Sequence, residues 1–79
     1  MIYMDEINEP RIPINIARRI LKTQHPGRIS KDACIELGNI LIEQGILIAE
    51  RAEQLCSHRK SRTLSGEDIT LAMNQLEGE

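Results

Sequence analysis

Apolar residues recur along this chain at intervals of three and four, with two clear interruptions. Ile14, Ala17 and Leu21, with Ile16 and Ile20 beside them, follow that spacing and predict a short amphipathic helix of about ten residues. Pro13 stands near its start, where a fixed φ and a missing N–H do no harm. "HPG" at 25–27 ends it, because the residue before a proline disfavours the helical region. Ser30 then offers a cap, and Asp32 falls in a first turn where the helix dipole favours an anion. From Lys31 to Ser57 there is no proline and no turn cluster, so one helix of about 40 Å is predicted at about 1.5 Å per residue. "SRTLS" (61–65) breaks the run. Ser65 predicts a second cap, with Asp68 where a capping box usually has Glu or Gln, and Ile69, Ala72, Met73 and Leu76 form the stripe of a third helix. No stretch alternates as a strand would. The pattern is all-α: a short, a long and a short helix over residues 12–76. An N-terminal extension, expected to be partly disordered, takes up 1–11, and an acidic tail 77–79.

Two short helices cannot cover a helix of about 40 Å. Leu37, Ile40, Leu41, Ile48, Ala52 and Leu55 are expected to stay partly bare in a lone chain, which calls for a second copy crossing helix to helix. Gln44, Gly45 and these six form the expected dimer core, with Gln44 needing a hydrogen-bond partner if buried. Gly38 and Gly45 lie seven apart on one face. Each costs about 1 kcal/mol against alanine, so either another helix comes close there or the glycines are simply tolerated. A second stripe, Ile35, Ile42, Ile46 and Ala49, with Leu47 adding to the surplus, runs away from the main seam. It predicts a further face that makes a tetramer or higher assembly, or else cover by Ile2, Tyr3 and Met4 of the extension.

Composition sharpens this. Seventy-nine residues make one small domain, and without Trp or Phe its core must be aliphatic and thin, a second reason to expect oligomers. Cys34 and Cys56 give no zinc spacing, and on one helix they would stand about 33 Å apart, too far for a disulfide. They read as small buried apolar residues in a reducing compartment. No signal peptide or membrane span is visible, and a soluble intracellular protein without metal or cofactor is expected.

The net charge of −2 hides strong segregation. Arg11, Arg18, Arg19, Lys22, Arg28 and Lys31 occupy 11–31 with no acid among them, and Arg59, Lys60 and Arg62 crowd the second break. The acids lie in the first ten residues, in the long helix and after Leu64. A polyanion at contact distance feels those patches, because salt screens the rest beyond about 10 Å.

With "IPINIARRILK" for the first helix, "GRIS" for the first loop, "SRTLSGEDITLA" for the second loop and third helix, and Gly45 at the centre of the long one, the chain resembles a histone fold. It is most similar to the minimal tail-less histones of archaea and some bacteria, over roughly residues 12 to 76. The resemblance implies a handshake homodimer with long helices crossing antiparallel, which sets "GRIS" of one chain beside "KSRT" of the other. It implies a cradle for double-stranded DNA built by Arg18, Arg19, Lys22, Arg28, Ser30, Lys31, Lys60, Arg62 and Thr63. In it Arg28 turns toward the minor groove, held by the partner's Thr63, and Arg62 meets phosphate. Arginine forks, loop amides and helix N-termini suit that task, and no base is read. It also implies a dimer–dimer bundle through Leu55, His58, Asp68 and Leu71, where a His58–Asp68 pairing would respond to pH. The bland alternative for those two is a solvated loop histidine and an aspartate that only caps. One departure stands out. Ser61 replaces an arginine that in such histones pairs with the aspartate at position 68, so that clamp is lost and the loop loosened unless Arg59 or Arg62 supplies it.

The function implied is that of a non-enzymatic architectural protein, cytoplasmic and nucleoid-associated, that wraps, bends or bridges DNA without sequence preference. The alternative is a histone-fold interaction module that pairs with a protein and touches DNA weakly, which the acidic net charge favours. A helix-turn-helix regulator fits poorly, because the second helix is too long to be a recognition helix. No nucleophile–base pair, ligand-spaced carboxylate cluster or phosphate-binding glycine loop suggests an enzyme or a small-molecule substrate.

Overall fold

The computed structural model describes residues 10–78 and has three helices, α1 (Ile14–Lys22), α2 (Lys31–His58) and α3 (Gly66–Glu77). The boundaries follow the punctuation. Pro13 immediately precedes α1, and its carbonyl accepts the amides of Ile16 and Ala17. Ser30 Oγ accepts the Ala33 amide at 3.1 Å and so caps α2. The predicted extension, including Ile2, Tyr3 and Met4 as a cover, falls on residues 1–9, outside the described residues. The chain divides into two compact units, up to Glu43 and from Gln44 onward, with the boundary inside α2.

The first unit holds α1, the first loop and the opening half of α2. Among its described residues, Ala17, Cys34 and Gly38 are buried. A Cβ added at Gly38 would lie 3.5 Å from Ile12 Cβ and 3.7 Å from its carbonyl oxygen. These are ordinary van der Waals distances, so no element comes close enough to require a glycine here, and the neighbour is the non-helical lead into α1. Beside it opens a groove of 650 Å³ whose apolar lining includes Ile12, Ile14, Ile35 and Ile42.

The second unit holds the closing half of α2 and all of α3. Ala52 and Cys56, one turn apart on α2, are buried, as are Asp68 and Ala72, one turn apart on α3. Arg51 Nη1 donates to Gln75 Oε1 at 3.1 Å and ties α2 to α3, and Arg59, the residue after α2, pairs with Asp68 of α3. Ala52 corrects one expectation: it is fully buried within its own unit, not partly bare. A methyl side chain needs only the shallow space between two helices, whereas the longer side chains of the seam do not fit there. Leu37, Ile48 and Leu55 are half-buried, and Ile40 and Leu41 are exposed. Gln44 is also exposed, and a Cβ at Gly45 would meet nothing within 4 Å among the described residues.

Both thiols are buried and free. Among the described residues no helix is long and apolar enough to cross a membrane, and no group of side chains could hold a metal ion.

Candidate nucleic-acid interface

The first loop and its flanking helix ends gather one set of cations. Arg19 and Lys22 close α1 from its last turn, where a helix dipole favours positive charge, and both are exposed, while Arg18 is half-buried. Lys22 Nζ reaches across the loop to the Gly27 carbonyl at 3.3 Å. A side chain at Gly27 would have its Cβ 3.0 Å from His25 Nε2, so the imidazole lies close over this glycine. The loop is drawn tight, with Arg28 at its far side. Arg28 lines a shallow cavity with His25 and Ser30 and makes no ion pair or hydrogen bond among the described residues. Ser30 is occupied by its cap, and Lys31 stands exposed as the first residue of α2.

The second loop is fastened differently. Lys60 donates its amide to the Ser57 carbonyl at 2.9 Å, and Ser61 donates its amide to the Cys56 carbonyl at 3.2 Å. That bond pair is the Schellman ending of a helix, and it needs a left-handed residue, usually glycine. Here the residue is Lys60, at φ 61°. A lysine in that conformation costs about 1 kcal/mol. Beyond it, Ser61 Oγ accepts the Thr63 amide at 3.1 Å and donates to the Thr63 carbonyl at 3.1 Å. Arg62, between them, is exposed and makes no bond among the described residues, and the Thr63 hydroxyl makes none either.

Arg59 supplies the clamp that Ser61 cannot. Its Nε donates to Asp68 Oδ1 at 3.2 Å and its Nη2 to Oδ2 at 2.6 Å, a two-pronged charged pair. Asp68 Oδ2 also accepts the Ser65 amide at 2.9 Å and the Ser65 hydroxyl at 3.3 Å, which is the aspartate arm of a capping box. The Arg59 hydrogen bonds, followed by the Ser65 amide, hold the Asp68 carboxyl below its ordinary 3.8, and the same pairing pushes Arg59 further up. Asp68 is 3 % exposed. Of the residues expected at a dimer–dimer bundle, His58 and Leu71 are exposed and Leu55 is half-buried. The loosened second loop expected from Ser61 is therefore not found. Sequence reasoning offers Arg59 only as a possible substitute, and it misses the two hydrogen bonds between the Ser61 hydroxyl and the Thr63 backbone. The one sequence signal is a serine two residues before a threonine in a turn, which is common.

Comparison with known proteins bears on what two such loops serve. Residues 10–73 match the family described as "Histone-like transcription factor (CBF/NF-Y) and archaeal histone". The chain is similar to "Nuclear transcription factor Y subunit beta" of Petromyzon marinus, 37 % identical over 67 residues. Those residues are 82 % of this chain and 32 % of that protein, so the chain spans about a third of the length of the curated relative it matches. With a long helix between two short ones, caps at Ser30 and Ser65, and a basic loop leading into each cap, the chain belongs to the family of histone-like transcription factors and archaeal histones.

Proposed function

We propose that two copies of this chain join through α2 and bind the phosphate backbone of double-stranded DNA, as an architectural protein of the minimal histone kind. The family is non-enzymatic. The observation that carries the reading is the state of the loop arginines: Arg28 and Arg62 are exposed and have no protein partner among the described residues. Arg59, by contrast, is committed to Asp68. A surface cation held ready beside helix termini suits an anion arriving from outside. In a handshake pair, Arg28 of one protomer comes to the Thr63 hydroxyl of the other, which has no bond of its own among the described residues. Arg18, Arg19, Lys22, Lys31 and Lys60 extend the positive surface, and a place on the nucleoid follows from the ligand.

The test is DNA binding across a salt series. Log K should fall linearly with log salt, and Arg28→Ala and Arg62→Ala should each flatten the slope by about 0.9 for every phosphate they no longer neutralise. Failure of the unmodified protein to bind at low salt would overturn the reading.

A second reading has its own support: the curated relative is by its name a subunit of a nuclear transcription factor. This chain would then pair with a different histone-fold chain and touch DNA weakly. A chain that stays unfolded alone, at concentrations where a homodimer should form, would favour it.

A further inference from the structure

The second loop contains more fastening than its length requires. A helix ending of the Schellman type normally stops at a glycine, yet here Lys60 takes the left-handed position at φ 61°. The next residue, Ser61, is half-buried, and its hydroxyl is bonded twice to the residue two further on. Cys56 Sγ donates to the Ser61 carbonyl at 3.4 Å, which fixes the other side of the same residue to α2. Arg62 is thus the middle residue of a turn closed by Ser61 and Thr63, while its own side chain makes no bond among the described residues. The result is a rigid backbone under a free cation.

We propose that Ser61 is a positioning residue for nucleic-acid binding: its hydroxyl, bonded to both the amide and the carbonyl of Thr63, sets the turn that presents Arg62 and the Thr63 hydroxyl to DNA phosphate. The role rests on the DNA-binding reading above. It divides the labour of the loop in a definite way. Arg59 clamps the loop to α3 through Asp68, so position 61 has no ion pair to make and holds a hydroxyl that organises its neighbours. Without that hydroxyl the Thr63 amide and carbonyl turn to water and Arg62 samples many directions. Each phosphate contact then costs more conformational entropy to form.

The experiment compares Ser61→Ala, Arg62→Ala, the double variant and Ser61→Thr, each by thermal unfolding and by DNA binding over a salt series. Ser61→Thr keeps the hydroxyl. Ser61→Ala should unfold within a few degrees of the unmodified chain and yet bind DNA roughly fivefold more weakly. Its salt slope should be flattened toward that of Arg62→Ala. The double variant should bind no worse than Arg62→Ala, since the serine acts through the arginine, and Ser61→Thr should bind as the unmodified chain does. A normal Arg62→Ala effect beside an unchanged Ser61→Ala would overturn the positioning role alone, as would additive losses in the double variant. Full binding by Arg62→Ala would instead overturn the DNA assignment of this loop, and the positioning role with it.

Discussion

Lys60 and Asp68 are the two residues whose chemistry departs furthest from the ordinary. Lys60→Gly relieves a left-handed lysine and should raise stability by about 1 kcal/mol, read as a higher denaturant midpoint. If the lysine serves DNA, the same variant should flatten the salt slope by about 0.9 for each phosphate left without its cation. An unchanged slope would leave the strain without a function. Asp68 works through its ionised form, which Arg59 and the Ser65 amide favour. In the unfolded chain the carboxyl returns to its ordinary 3.8, so protons bind the unfolded state first. The stabilisation is complete above that value and disappears as pH falls through the lower folded one. Acid unfolding should show it: the advantage of the unmodified chain over Asp68→Asn should shrink as pH falls below the ordinary carboxylate value. A constant gap would mean that the carboxylate's charge is immaterial. Neither residue is legible as an outlier from sequence. Periodicity says where a helix stops but not which residue turns left-handed after it, and the Asp68 pairing enters only through the resemblance, with Arg59 as one of two substitutes for the arginine missing at Ser61.

At the scale of elements, the sequence is a good guide where the chain punctuates itself. Pro13, "HPG", Ser30 and Ser65 mark the helix ends because each acts on its own backbone, and α2 ends within a residue of Ser57. What depends on a neighbour is harder to read. The spacing of Ala52 matches the seam and predicts a partly bare residue, yet it is buried in its own unit, since burial depends on side-chain size as well as spacing. The two glycines of α2, alike in sequence, differ in surroundings. A Cβ at Gly38 would make ordinary contact with Ile12, so Gly38→Ala should be accommodated and should add up to about 1 kcal/mol of helix propensity. A Cβ at Gly45 would meet nothing within 4 Å among the described residues. Gly45→Ala should therefore gain a similar ~1 kcal/mol in a lone chain, but should weaken a dimer whose long helices cross there. Dissociation constants from sedimentation would decide: tighter or equal association for Gly45→Ala would place the crossing elsewhere.

Among the described residues, side chains no larger than alanine and cysteine supply the buried apolar residues, while Ile40, Leu47 and Leu71 are exposed by 50, 49 and 46 %. Burying one such side chain is worth about 1.5–3 kcal/mol, and alanines cannot replace several of them. Stability should therefore come from association, and the unfolding temperature should climb with protein concentration. A midpoint independent of concentration would mean that the lone chain is sufficient. The two buried thiols add something else. Cys34 lies in the unit that ends at Glu43 and Cys56 in the one that begins at Gln44, and each is nearly closed to solvent. The protein thus carries one natural chemical clock per half. A thiol reagent can reach each cysteine only when its own surroundings open, so the two alkylation rates, resolved by peptide mass, time the opening of each half without any label being introduced. Equal rates would describe a chain that opens all at once. Unequal rates would name the half that yields first.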